Sequence, residues 1–168
     1  MSEAVREDVD LLEEDSQKDK YLTFIVDEEC YGIEIRYVTE IIGLQKITSV
    51  PEMPDFVRGI VNLRGKIIPV MDVRVRFKKP FREYMERTCI VVIDINELSI
   101  GLIVDSVAEV ISIPSSEVVA PPDLNQRSNR FVMGIGKVGN EVKLLLDCEK
   151  LLNDYEVDQL LNERFAVI

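Results

Sequence analysis

Tyr31-Gly32-Ile33-Glu34-Ile35-Arg36-Tyr37-Val38-Thr39-Glu40-Ile41-Ile42 returns later in the chain as Ile100-Gly101-Leu102-Ile103-Val104-Asp105-Ser106-Val107-Ala108-Glu109-Val110-Ile111. A second pair follows. Phe56-Val57-Arg58-Gly59-Ile60 is matched by Phe131-Val132-Met133-Gly134-Ile135, and both copies then reach an aspartate, Asp72 and Asp147. Glycine, valine, glutamate and isoleucine coincide at fixed offsets, so one β-rich unit is written twice. Each copy is a control for the other. What both keep belongs to the fold; what only one has is a candidate for function.

Working outward, the segments read as short strands. Tyr21–Val26 is β-branched and aromatic and predicts a strand; Asp27-Glu28-Glu29 turns it, and Cys30–Ile35 returns. Val38–Leu44 predicts a third strand. Val50–Asp55, with two prolines, is a loop. Gly59–Leu63 and Lys66–Met71 pair across Arg64-Gly65, and Pro69, which cannot donate to a ladder, marks an edge or a bulge. Asp72–Phe77 closes the first copy as a helical turn, and Lys78–Glu86 links the copies. In the second copy, Cys89–Ile95 is a near-continuous apolar run, as in a strand covered on both faces. Asn96-Glu97 turns it into Leu98–Val104, and Ala108–Ile113 follows. The Pro114–Asn129 loop is longer than its counterpart and reads as a surface excursion. Phe131–Val138 and Glu141–Leu146 pair across Gly139-Asn140. Tyr155–Phe165 predicts an amphipathic helix.

Each copy thus offers about five short strands, and sheets of that size avoid open edges by curling into small barrels. One copy is barely long enough to fold alone, so two barrels sharing a hydrophobic seam are expected. The expected fold is mainly β. It divides into an acidic tail (1–19), a first barrel copy with its linker (20–87), a second barrel copy (88–154) and a C-terminal helix (155–168).

The chain has 168 residues, 46% of them hydrophobic, which fits a globular protein. No apolar run is long enough to span a bilayer, and the N-terminus is acidic rather than basic-then-apolar, so the reading is cytoplasmic. A net charge of −11 repels phosphate backbones and argues against nucleic acid as a partner. Part of that charge is a run of carboxylates from Glu3 to Asp19, read as a solvated tail. The one basic stretch, Arg74 to Arg87, reads as a solvated connector. Cys30, Cys89 and Cys148 stand far apart, which supports neither a disulfide framework nor a zinc site; Cys89 and Cys148 lie in apolar runs and read as buried.

The chain has no histidine, which removes the commonest general base and every His-containing triad. There is no Walker loop, and Gly134-Ile135-Gly136 lacks the third glycine of a dinucleotide fingerprint. Paired aspartates in duplicated β halves would suit an aspartic protease, but neither Asp72 nor Asp147 is followed by the small hydroxyl and glycine that chemistry needs. Both precede helical patterns and read as caps. No catalytic residue, metal ligand or cofactor is expected. Glu40 and Glu109 are matched, which leaves fold and function both open for them. The asymmetry that informs is at the hairpin. The second copy turns with Gly139-Asn140, as a tight turn wants; the first uses Asn62-Leu63-Arg64-Gly65. Arg64 is positioned to engage a carboxylate or a carbonyl on a partner.

Those residues, with Phe56-Val57-Arg58-Gly59-Ile60-Val61 before them and Ile67-Ile68-Pro69-Val70-Met71-Asp72 after, resemble the signature of the CheW family, the coupling proteins of bacterial chemotaxis. Tyr31–Ile35 and Val38–Ile41 match its early segment. The resemblance runs from Tyr21 to about Leu152. It implies two intertwined five-stranded SH3-like barrels and a non-catalytic adaptor. Its partners would be the regulatory domain of the histidine kinase CheA and the cytoplasmic tips of methyl-accepting chemoreceptors, in arrays at the inner face of the membrane. By position, the resemblance assigns receptor contact to Val38, Glu40, Gly59, Asn62, Leu63, Arg64, Cys89, Val107 and Val110, and kinase contact to Leu22, Ile33 and Ile35. A CheV-like adaptor or an isolated CheA regulatory domain is the alternative; the absence of a doubly wound α/β pattern after the second copy disfavours CheV.

Overall fold

The computed structural model describes residues 17–122 and 130–152, so the expected C-terminal helix lies outside the described residues. The first hairpin is β1 (Lys20–Val26) with β2 (Glu29–Glu34); a 3-10 turn leads from it to β3 (Val38–Gly43). The second hairpin is β4 (Val57–Leu63) with β5 (Lys66–Asp72), followed by the helical turn α1 (Val73–Arg76). The second copy repeats the order with β6 (Cys89–Ile95), β7 (Leu98–Val104) and β8 (Ser106–Ser112). A 3-10 turn and β9 (Val118–Val119) precede β10 (Val132–Val138), β11 (Glu141–Leu146) and α2 (Cys148–Leu152). Both helical turns start as their aspartates predict. Asp72 Oδ1 accepts from the Val75 N–H at 3.3 Å, and Asp147 Oδ1 from the Lys150 N–H at 3.2 Å.

Neither sheet is built from one copy. One runs β8-β1-β2-β11-β10-β9 and the other β3-β6-β7-β5-β4. The leading hairpin of each copy has been exchanged: β1–β2 sits between β8 and β11 of the second copy, and β6–β7 sits between β3 and β5 of the first. The exchanged hairpins join through short parallel contacts, β2 to β11 and β5 to β7. The last of these begins at Val70↔Gly101, so Pro69 sits just ahead of the parallel ladder, inside the sheet rather than on an edge or in a bulge.

Both sheets close in the same way. Strands β8 and β9 lie on opposite edges of a six-stranded sheet, about 24 Å apart if it were flat. The link from Ser112 to Val118 spans at most about 20 Å, so the sheet must curl. In the other sheet, Thr48 pairs with Ile60 on the far edge, with both N–H···O distances 2.9 Å. Val119 pairs with Ile135, the repeat partner of Ile60. Part of the expected Pro114–Asn129 excursion is therefore the closing strand β9, because Val118-Val119 supply β-branched residues where the sheet needs an edge partner.

The closure explains Gly59. Its φ is +145°, and a β-carbon there would stand 2.1 Å from the Thr48 carbonyl oxygen that makes the closing bond. Gly59 is buried, and its expected place in the receptor contact gives way to a role in closing the sheet. Gly134, its partner, has no such φ; a β-carbon there would crowd the Val118 side chain at 2.7 Å and lie in ordinary contact with the Val119 carbonyl oxygen at 3.5 Å. Gly59→Ala is expected to destabilise the protein by about 1–3 kcal/mol, and Gly134→Ala by less, as measured by thermal melts of the two variants.

The alternating faces of β6 show where the core lies. Ile90 and Val92 join Val61, Ile68, Val70 and Ile103 inside one barrel, while Val91 and Ile93 face the seam. There they pack with Phe24, Ile33, Leu102, Val104, Leu146 and Leu151 in a single core drawn from both copies. Each such fully buried aliphatic side chain contributes about 1.5–3 kcal/mol.

The basic stretch is not a solvated connector throughout. Arg74 and Arg76 are 6% and 3% exposed. Arg74 Nη1 donates to Asp27 Oδ1 at 2.8 Å, Arg74 Nη2 donates to Asp105, and the Asp27 N–H donates to the same Asp105 carboxylate. Arg74 thus ties the tip of the exchanged β1–β2 hairpin to the β7–β8 junction. Lys79 adds a bond to Asp27 at 2.9 Å. The Arg76 guanidinium stands 4.6 Å from the rings of both Phe56 and Phe131, and its Nε donates to the Leu151 carbonyl at 3.1 Å. Phe56 and Phe131 are repeat partners, so one arginine is sandwiched between the two matched phenylalanines.

Candidate functional site

The turn between β4 and β5 is Arg64-Gly65, with φ of 52° and 86°. A two-residue hairpin turn with both φ positive favours asparagine, aspartate or glycine. An arginine there carries strain of about 1–2 kcal/mol. The Gly65 N–H donates to Asn62 Oδ1 at 2.9 Å, which fixes the turn. The second-copy turn places Gly139 at its first position, with φ of 61°, and avoids the strain. Arg64 is therefore held in a costly conformation that its twin shows to be dispensable for folding.

Arg64 has a partner within the chain. Its Nη2 donates to Glu40 Oε1, and the two side chains are 72% and 29% exposed. Within the chain, Glu40 therefore already orients the guanidinium that the sequence reading directs at a partner's carboxylate or carbonyl. An ion pair this exposed is worth under about 1 kcal/mol, so it aims the arginine without locking it. Glu40 itself follows a bulge. Val38 pairs with Ile93 and Glu40 with Val92, leaving Thr39 extra; its hydroxyl donates to the Val92 carbonyl at 3.1 Å. The second copy repeats this irregularity, with Val107 paired to Phe24 and Val110 to Leu22. Buried Thr23 bonds the Glu109 backbone on both sides there. The matched glutamates thus mark a shared bulge. The difference lies in their partners, because Gly139 has no side chain to offer Glu109.

The remaining positions fall into two groups. Leu63, beside Arg64, is half-buried against the core of its barrel, as are Ile42 and Ile47, and Asn62 is exposed. Val38, Cys89 and Val107 are half-buried against the seam. Cys89 pairs with Gly43 at the end of β3, and its thiol meets the backbone of Val107, so β3, β6 and β8 converge there. Val110 is exposed farther along β8. Sequence reasoning missed Ile41 and Leu44, which are 46% and 40% exposed on and just after β3. The repeat offered a signal, since Ile41 is the counterpart of Val110. Of the three kinase positions, Leu22 and Ile33 are 2% and 0% exposed. They are core residues, and no partner reaches them while the barrels stay closed. Ile35, half-buried in the turn after β2, is reachable.

Among the described residues no cluster of three or more histidine, cysteine, aspartate or glutamate side chains could hold a metal. Burial pushes the Cys148 thiol up to about 12 and the Cys89 thiol above its ordinary value, which disfavours the thiolate in both. Lys79, and then Arg74, hold the Asp27 carboxyl below its ordinary value of 3.8. A carboxyl depressed on folding adds stability that is complete above the unfolded value and is lost as pH falls through the folded one. Melts from neutral pH down to roughly pH 3 should fall more steeply below about pH 4 for the natural chain than for Asp27→Asn. Equal slopes would show that the Arg74–Lys79 contacts contribute nothing.

The sequence pattern of the CheW-like domain matches residues 20–156. The chain is 34% identical over 139 residues to the chemotaxis protein CheW of Klebsiella aerogenes, covering 82% of this chain and 84% of that one. It is 31% identical over 148 residues to the chemotaxis protein CheW of Treponema pallidum, covering 84% and 86%. The crystal structure of the scaffolding protein TtCheW from Thermoanaerobacter tengcongensis superposes with a TM-score of 0.75 at 37% identity, covering 81% of this chain and 93% of that one. None of the described helices is long and apolar enough to cross a membrane.

Proposed function

The chain belongs to the CheW-like domain family, and on that premise we propose that it is a non-catalytic chemotaxis adaptor coupling methyl-accepting chemoreceptors to the histidine kinase CheA. The observation that carries the reading is Arg64, kept in a left-handed turn and aimed by Glu40, where the other copy has glycine. An amphipathic receptor helix would lay its apolar face along exposed Ile41 and half-buried Leu63, Cys89 and Val107, with Arg64 fixing its direction through a charge-assisted hydrogen bond. Val38, Asn62 and Val110 flank that path. The kinase's regulatory domain would dock on an apolar edge of the first copy, at the end of the β1–β2 hairpin, with Ile35 as its reachable apolar contact. The protein would act in the cytoplasm and be recruited to receptor arrays by these contacts.

The direct test is retention of the purified chain by CheA and by a cytoplasmic receptor fragment, each immobilised separately. Binding to both supports the adaptor reading. Retention by neither would end it. Retention by CheA alone would favour a regulatory module that lacks the receptor half of the role.

A further inference from the structure

The two copies close their sheets alike but are not covered alike. In each, the strand that enters the second hairpin carries one extra residue: Arg58 between Val57 and Gly59, and Met133 between Val132 and Gly134. In the first copy the chain that leaves α1 folds back over this place. The Arg58 guanidinium stands 4.5 Å from the Phe81 ring, and the Tyr84 hydroxyl donates to Asp72 at 2.8 Å. In the second copy Met133 is 37% exposed, and Asp147 is half-buried where Asp72 is buried. The described chain ends there at Leu152, the repeat position of Phe77.

Met133 belongs to a wider apolar face. Register places Val119, Ile135 and Leu144 in one row across β9, β10 and β11. Val118 and Leu145 pack inside the second barrel, so by alternation their neighbours Val119 and Leu144 face away from it, as does Val142. Val119 and Val142 are 40% and 58% exposed. The first-copy counterparts of Val142 and Leu144 are Ile67, half-buried, and Pro69, buried. Lys137, Glu141 and Lys143 beside the face carry both signs, so what it offers is apolar surface rather than charge. One segment of the chain fits it. Residues 153–168 follow Leu152, and Val157, Leu160, Leu161 and Phe165 share one side of the helix that the spacing predicts. Eleven helical residues, Tyr155 to Phe165, would span about 16 Å. The face runs about 13 Å along the strands, from Met133 to Lys137 opposite Val142. The segment also starts beside it. The Asp147 N–H that opens α2 donates to the Phe131 carbonyl at 2.9 Å, two residues before Met133. A tether this short sets an effective concentration on the order of millimolar.

We infer that residues 153–168 dock on the outer face of β9, β10 and β11, with Leu160, Leu161 and Phe165 against Val119, Met133 and Val142, covering the second copy as the linker covers the first. The chain has no tryptophan, so Val142→Trp, at an exposed strand position that suits an aromatic residue, is a single fluorescent reporter. In the full-length protein the segment shields it. A companion that also carries Leu160→Asp and Leu161→Asp should show about twofold stronger acrylamide quenching and a red-shifted emission, because two apolar anchors are lost. Equal quenching in the two proteins would overturn the inference. Shielding that disappears on dilution from about 100 μM to about 1 μM would also overturn it, since a second molecule would then be what covers the face. The reciprocal reporter is Phe165→Trp, which leaves both barrels untouched. Its emission should be blue-shifted in the otherwise natural chain and move to the red when Val119→Asp and Val142→Asp are added. An emission unmoved by those two changes would place the segment elsewhere and overturn docking on this face.

Discussion

Replacing Arg64 with glycine is expected to weaken receptor binding by roughly 10- to 100-fold while leaving the protein no less stable. The binding loss is that of a charge-assisted hydrogen bond shielded on docking, about 1.5–3 kcal/mol. The stability follows from opposed terms. Relief of left-handed strain returns about 1–2 kcal/mol. The added freedom of a glycine in the unfolded chain takes back about 0.4–1 kcal/mol, and loss of the exposed pair with Glu40 takes a few tenths. Arg64→Ala should lose the same affinity and, because alanine keeps the strain, melt slightly lower than the glycine variant. Titration of a receptor fragment and thermal melts on the same preparations separate the outcomes. Unchanged affinity in both variants would remove Arg64 from the contact. A large fall in stability on Arg64→Gly would mean that the turn depends on the arginine for folding.

The second large effect is structural. Arg76→Ala is expected to destabilise the fold by about 4 kcal/mol. The guanidinium between Phe56 and Phe131 contributes about 2 kcal/mol in a desolvated setting. The Leu151 carbonyl would lose its donor, at about 1–3 kcal/mol, and the sandwich would leave a gap beside the seam. For a domain of this size the melting midpoint should fall by roughly 10 °C. Arg76→Met, which refills the space without the charge, should recover about half of that loss. If methionine restored the whole of it, packing alone would explain the residue; if it restored none, the charge would be the essential part.

Some of this architecture was legible in the residues and some was not, for physical reasons. The strands were, because period and turn chemistry are local, and the two aspartate caps followed from the same locality. Arg64 was found by comparing copies, since a side chain that one copy omits is not required by the fold. The exchange of hairpins was not legible at strand level. Both copies write a leading hairpin of the same apolar pattern and turn length, and nothing in β1–β2 says whether its neighbour will be β3 or β8. The burial of Arg74 and Arg76 was hidden for a related reason. A charge reads as solvated until its partners are known, and Asp27, Asp105, Phe56 and Phe131 are distant in the chain. Leu22 and Ile33 show the converse. They are apolar in either reading, and only the closed barrels separate a core position from a contact surface.

The exchanged hairpins also bear on how the protein is made. The first sheet needs β10 and β11, so no barrel containing the N-terminal strands can be finished until the ribosome has released residues near Leu146. Until then β1 and β2 expose apolar faces that only later residues can cover, which makes the growing polypeptide a natural client for chaperones. A protease cut in the connector after synthesis would have the opposite character, leaving two fragments clasped through each other's sheets.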